Sequence, residues 1–369
     1  MFQVNLKQIF NSEKISFDEC ELEPCKLVEQ IPNIDVNYVF ELKVLNEVLL
    51  YLFHPFKDCL YIAGPSGCGK TTLILQIAAR LNWGVEQITL SNKCESLDLI
   101  GHTTLKQGQL IYEYGPLTRA MIYGEILILN EIDLMSPGDL AVLNDVLEGK
   151  PLTIVANNGE IIKPHPQFRV VATANTKGFG DMTGFYNGAR LLNQAFLDRW
   201  RFIEMTYPNS RVELMMLKTA FPNLDTEMAN KLIRFANELR KVVELGIDNG
   251  VRQISAPFSS RTLLKIASLV SVNTEYTVHK IVNMCYALRL PKIEQEYVMR
   301  LCNDVFGHEK AVLKKTQKND LDENVNVESA LSEEDDENKS KSDVKPKTQR
   351  RSRKTLKEDK KESNEKNDN

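Results

Sequence analysis

Between Cys59 and Tyr207 the chain alternates short β-branched apolar runs with stretches of helical periodicity. CLYIAG, VEQITL, EILILN, FRVVATAN and RFIEMTY read as strands, and the amphipathic segments between them read as helices. This is the pattern of a parallel sheet wrapped by helices. From 209 to 307 the apolar positions recur only at helical spacing, as in RVELMMLKTAF, MANKLIRFANELRKVVEL and SRTLLKIASLV. Pro222, Gly246, Gly250, Pro257 and Pro291 interrupt them, which predicts a small all-helical lid. Ahead of the sheet, Tyr38 to Phe53 carries an apolar stripe that predicts a further helix. The fold class is α/β with four parts: a lead-in over 1–37, an α/β domain over 38–208, a helical lid over 209–308, and a tail over 314–369.

The tail is set apart by composition. From about Lys314 the chain is Lys, Glu, Asp, Asn and Ser with no aromatic residue, too little apolar surface to offset the entropy of ordering, so it is expected to be disordered. Within it an acidic run at Glu333–Glu337 precedes a basic run at Lys345–Lys354, readable either as a solubilising tail or as a tether for nucleic acid. A net charge of −4 over 369 residues names no partner. No apolar run reaches the roughly 18 residues of a membrane span, and the start lacks the pattern of a signal peptide, so a cytoplasmic location is expected. The seven cysteines are scattered without a paired motif, which argues for reduced thiols rather than a disulfide or zinc framework.

Gly64-Pro-Ser-Gly-Cys-Gly-Lys70-Thr71 fits G-x-x-x-x-G-K-[ST], follows an apolar strand and opens a helix. In such a loop, glycines let backbone N–H groups turn inward around phosphate oxygens, and the helix N-terminus adds partial positive charge. Lysine neutralises β and γ oxygens, and Thr71 ligates Mg²⁺. The predicted cradle comprises Gly64, Pro65, Ser66, Gly67, Cys68, Gly69, Lys70, Thr71 and Thr72, with ATP and Mg²⁺ as the ligands. A second strand ends in Asn130-Glu131, where nucleotide hydrolases carry Asp-Glu. Glu131 is read as the residue that polarises the attacking water, and Asn130 as a neutral substitute on the hydrated metal, with Asp133 as a partial compensation. Ser136-Pro-Gly-Asp139 is a helix start, and Asn158-Gly159 marks a hairpin. The next strand ends at Asn175, either a turn former or a polar group aligned with the γ-phosphate.

The run IIKPHPQFRVVATANTKGFGDMTGFYNGARLLNQAFLDRW, together with ARLNW after the P-loop helix, closely resembles the CobS-like ATPase subunits of cobalt chelatase, within the MoxR-type and dynein-related AAA+ ATPases. The likeness spans about residues 5 to 308, including the IPNIDVNYVF lead-in, and leaves out the tail. The block from Lys163 to Trp200 is specific, whereas a P-loop alone fits many families. The resemblance implies an AAA+ nucleotide domain with a helical lid. It makes Asn175 the first sensor, Arg199 the finger that reaches a neighbouring subunit's γ-phosphate, and Arg261 in SSRTLL the second sensor; Arg190 is a rival finger. It places Asp98–Gly101 and TTLKQGQLIYEYG where this group inserts a loop facing the central pore, in reach of a client. It also implies a homo-oligomeric ring, expected to be a hexamer, and a partner with a von Willebrand A-type (VWA) domain. Asn130 departs from the family pattern.

Three classes of function follow. One is an ATP-driven remodelling motor, with the cobaltochelatase ATPase subunit proper as a narrower form. Another is a nucleotide-gated scaffold with weak hydrolysis, which Asn130 permits. The last is a nucleic-acid motor, favoured by the basic run and the hairpins.

Overall fold

The computed structural model describes residues 2–308, apart from 18, 245, 246, 249, 250, 253, 273 and 274. The charged tail predicted over 314–369 lies outside the described residues. Five strands form one parallel sheet: β1 (Cys59–Ala63), β2 (Val85–Thr89), β3 (Ile126–Asn130), β4 (Arg169–Ala174) and β5 (Trp200–Glu204), in the order β5-β1-β4-β3-β2. All five match the apolar runs in the sequence. Both faces are covered, so every residue of β1 and β3 is buried. The two-residue period divides them between two cores. Tyr61, Leu127 and Leu129 face one core, with the helices at 116–147. Leu60, Ile62, Ile126 and Ile128 face the other, with α1 (Leu42–Phe53) and α2 (Lys70–Leu81).

The N-terminal residues belong to that second core. A hairpin of Phe2–Asn5 with Glu19–Leu22 delivers Val4 and Leu22 to it. The stripe from Tyr38 predicted a helix four residues longer than α1. Tyr38 instead stacks on Phe40 at 4.8 Å, Phe40 stacks edge-on against Phe10 at 5.3 Å, and the Arg80 guanidinium sits 4.8 Å from the Phe40 ring centre. Those contacts hold 38–41 outside the helix, which begins after Glu41.

The segment after β2 forms an antiparallel hairpin, Gly101–Lys106 with Gln109–Tyr114, and leads into α3 (Pro116–Tyr123). A second hairpin pairs Leu152–Ile154 with Glu160–Ile162. Asn158 and Gly159 both take positive φ there, as the dipeptide predicts, but a 3-10 turn at Val155–Asn157 lengthens the connection beyond a two-residue turn.

The lid contains α4 (Ser210–Ala220), α5 (Thr226–Glu244), α6 (Ser260–Ser271), α7 (Val278–Cys285) and α8 (Lys292–Phe306) around a third core. A short strand pair, Ile247–Asp248 with Val251–Arg252, departs from the all-helical expectation. In the lid interior Arg240 bonds both Glu213 carboxylate oxygens, at 2.7 and 3.0 Å, and its guanidinium lies 4.4 Å from the Tyr207 ring centre. The lid is thereby joined to the segment that leaves β5.

Candidate functional site

The loop from Gly64 to Gly69 carries the chain from the carboxyl end of β1 into α2, and two glycines show why it needs them. A Cβ on Gly64 would lie 2.2 Å from the Met205 carbonyl oxygen, so only glycine lets this backbone pass the end of β5. Gly69 has φ +101 and caps α2 in the left-handed region, which turns the helix's first N–H groups toward one side. The loop is braced from both flanks: the Ser66 N–H donates to Tyr186 Oη at 3.2 Å, and Tyr207 Oη donates to the Ser66 carbonyl at 3.1 Å. Cys68 is buried, whereas Thr72 is exposed on the first turn of α2.

Lys70 is 7% exposed, and its ammonium donates to the carbonyls of Gly64 at 2.7 Å and Pro65 at 3.2 Å and to Asn175 Oδ1 at 2.9 Å. All three acceptors are neutral. Burial lowers the lysine pKa, and the nearby Glu131 and Asp133 charges work against that shift. The other end of the Asn175 amide donates from Nδ2 to Glu131 Oε2 at 2.6 Å. A continuous chain Lys70–Asn175–Glu131 therefore crosses the carboxyl ends of β1, β4 and β3, the edge where ligands collect in open α/β sheets. Glu131 has φ +56, a left-handed conformation uncommon outside glycine and asparagine. Burial raises its carboxyl pKa, opposed by the positive charges of Lys70 and Arg261.

Asn130 ends β3 with Oδ1 accepting from Thr71 Oγ1 at 2.6 Å and from Thr173 Oγ1 at 3.1 Å. Asp133 is 1% exposed, with Oδ2 accepting from the Thr176 N–H at 3.0 Å and from Thr176 Oγ1 at 2.8 Å.

Arg261 lies on the first turn of α6, whose cap residue Ser259 abuts the loop: a Cβ on Gly67 would lie 2.7 Å from Ser259 Cβ and 3.4 Å from Arg261 Cβ. The lid thus lays a helix start and an arginine over the phosphate loop. Arg199 stands elsewhere. Its carbonyl accepts from the N–H of Cys59, the first residue of β1, whereas the phosphate loop follows the last. Five residues of strand separate the two by about 15 Å. Arg199 Nε donates to Glu148 Oε1 at 2.9 Å and Nη2 to the same oxygen at 2.5 Å, and Nη1 bonds the Ala195 carbonyl. The rival, Arg190, is exposed, and its N–H donates to the Asp133 carbonyl at 2.7 Å.

The residues present fit a magnesium triphosphate. A buried ammonium held only by neutral oxygens is one an anion stabilises. The N-terminus of a 12-residue helix faces the same loop. Thr71 Oγ1 and Asn130 Oδ1 form a pair of neutral oxygens of the kind hard cations accept. A cleft of about 1330 Å³ between the sheet edge and the lid reaches Gly64, Pro65 and Asn175 but not Lys70 or Thr71. The start of the loop and Asn175 therefore line this cleft, with Lys70 and Thr71 behind them. Tyr186, Tyr207 and Thr173 were not singled out in the sequence; Tyr186 falls inside the resembling block, but aromatic braces and a strand threonine have no motif of their own.

A family model for the AAA domain of the dynein-related subfamily matches residues 60–199. The aerobic cobaltochelatase subunit CobS of Sinorhizobium sp is 31% identical over 243 residues, covering 63% of this chain and 71% of that protein. An uncharacterized protein of Staphylococcus haemolyticus is 30% identical over 227 residues, 60% of this chain and 81% of its own. A crystal structure from Cytophaga hutchinsonii covers 70% of this chain and 82% of its own at 16% identity and a TM-score of 0.40, a likeness too loose to add anything. Among the described residues, no helix is long and apolar enough to cross a membrane. With a complete phosphate loop, the strand order β5-β1-β4-β3-β2 and a helical lid in place, the chain belongs to the AAA+ ATPases of the dynein-related, MoxR/CobS-like group.

Proposed function

We propose that this chain binds ATP with Mg²⁺, hydrolyses it within a ring of identical subunits, and uses the cycle to remodel a partner protein of the kind that carries a VWA-type domain. The observation that carries the hydrolytic reading is the hydrogen-bonded chain from Lys70 through Asn175 to Glu131. One side chain, Asn175, links the cation that meets the γ-phosphate to the carboxylate that activates water, so phosphate position and base position are set together. Glu131 accepts the proton of the attacking water, and its raised pKa suits that role. Bound Mg²⁺ supplies positive charge to the phosphate oxygens, with Thr71 and Asn130 as the residues that hold it. Arg261 adds charge from the lid. Assembly into a ring is supported by Arg199, which stands at the far end of the sheet from its own phosphate loop and serves a site only on another copy. The hairpin at 101–114 carries exposed Leu105 and Leu110 at its tip, a surface suited to gripping a client.

Two variants test this reading. Lys70→Ala abolishes tight ATP binding, and Glu131→Gln retains ATP binding but stops turnover, since only water activation is removed. Unchanged nucleotide affinity in the first, or unchanged phosphate release in the second, removes the assignment. A nucleotide-gated scaffold is the second reading, favoured by the neutral Asn130. Steady-state phosphate release by the parent protein at saturating Mg²⁺ separates the two.

A further inference from the structure

The backbone ladder between β3 and β4 ends at Asn130↔Thr173, but the two strand ends stay linked by side chains beyond it. Thr173 Oγ1 donates to Asn130, Asn175 Nδ2 donates to Glu131, and Thr176 donates twice to Asp133, from N–H and from Oγ1. The last rung carries two hydrogen bonds between the strand ends where each of the others carries one. Asp133 is 1% exposed, its second carboxylate oxygen Oδ1 has no partner among the described residues, and its carbonyl accepts from the Arg190 N–H at 2.7 Å. The Thr176 carbonyl in turn accepts from the buried Tyr61 hydroxyl at 3.1 Å. Asp133 therefore ties together the turn that bears Glu131, the turn that bears Asn175, and the strap around Arg190, whose neighbour Leu191 is 67% exposed.

A carboxylate buried with one oxygen unsatisfied costs stability, and a purely structural turn would be held as well by an apolar contact. The cost is offset only if the two donors of Thr176 must be held at a fixed place. Thr176 directly follows Asn175, so that place decides where the Asn175 amide points. A displacement of about 1 Å there would break the 2.6 Å bond to Glu131 while leaving the phosphate loop intact.

We infer that Asp133 is a positioning residue for ATP hydrolysis: through Thr176 it sets the Asn175 amide against Glu131. This inference rests on the hydrolytic reading of Glu131 above.

The experiment compares Asp133→Ala, Asp133→Asn and Thr176→Val in the full chain. It reads kcat from phosphate release, affinity for a fluorescent ATP analogue, and the Mg²⁺ concentration for half-maximal activity. Asp133→Ala is expected to lower kcat at least tenfold while analogue affinity and Mg²⁺ requirement stay within twofold. Asp133→Asn keeps an acceptor oxygen for Thr176 and is expected to recover kcat to within threefold of the parent. Thr176→Val removes one donor from the other side, so it lowers kcat severalfold, and combining it with Asp133→Ala adds nothing further. If Asp133→Ala does not fold, Thr176→Val carries the test, and an unchanged kcat there overturns the inference. An unchanged kcat in Asp133→Ala overturns it too, as does a parallel loss of nucleotide affinity. A raised Mg²⁺ requirement would put Asp133 on the metal and equally end it. Glu131→Gln measured alongside separates the two levels: full turnover in that variant removes the hydrolytic reading itself, whereas its loss together with an active Asp133→Ala removes only the role of Asp133.

Discussion

The Thr71 hydroxyl donates to Asn130 Oδ1 over 2.6 Å, so the side chain that stands where nucleotide hydrolases carry aspartate is bonded to the threonine that ligates magnesium in such loops. Asn130 offers that threonine an acceptor oxygen but no negative charge.

Asn130→Asp restores that charge without changing the length of the side chain. Half-maximal activity is expected at lower Mg²⁺ than in the parent, because a carboxylate holds a hydrated divalent cation better than an amide. If Asn130 serves instead as a brake released by a partner, the aspartate raises basal turnover and weakens stimulation by that partner. Superimposable Mg²⁺ titrations with equal basal rates would defeat both accounts.

Arg199→Ala should leave ATP binding intact and reduce hydrolysis roughly a thousandfold or more, in the range that finger residues contribute to phosphoryl transfer. Mixing it with an excess of Lys70→Ala protein should restore part of the activity, since a subunit with a dead site still lends its finger to an intact one. Mixed rings that form without any rescue would argue against action between subunits. Arg190→Ala in parallel distinguishes the rival: its backbone N–H bonds its own chain's Asp133 carbonyl while its side chain is exposed, so loss of activity confined to this variant would transfer the role.

Glu125, immediately before β3, is 1% exposed, and neither carboxylate oxygen has a hydrogen-bond partner among the described residues. Burial, reinforced by Glu86 and Glu29 and opposed by Arg119, raises its pKa to about 7. The unfolded chain releases this proton near pH 4.5, so from there to about pH 7 the folded state holds up to one proton more and stability falls as pH rises. A neutral side chain escapes that loss. Relative to the parent, Glu125→Gln should therefore gain on the order of 2 kcal/mol of stability between pH 4.5 and pH 8, measured by denaturant unfolding at both pH values. A constant difference between the two proteins across this range would mean that Glu125 does not titrate as described.

Much of the architecture is legible locally. Apolar runs mark the five strands: β1 and β3, inside the sheet and covered on both faces, are apolar at nearly every position, whereas the edge strands β2 and β5 mix apolar and polar positions. The phosphate loop is legible because a left-handed Gly69 and a passage too tight for any Cβ at Gly64 admit little besides glycine. Glu131 and Asn175 are legible as polar residues at the ends of apolar strands. The helix start at Ser136 is equally local, since Ser136 Oγ accepts from the Asp139 N–H three residues on.

Local sequence was enough to mark the five strands of the central sheet, the P-loop motif and the helical stretches of the lid, since each of these depends on neighbours within a few positions. The strand order came from packing, because no signal within a few positions says which parallel strands lie side by side. That order brings Lys70 within 2.9 Å of Asn175, 105 residues away, sends Arg199 to the opposite end of the sheet, and turns Asp133 from a spare acid near a metal into the partner of Thr176. Such contacts join residues distant in the chain, and only the order in which the strands lie side by side sets which strand ends meet.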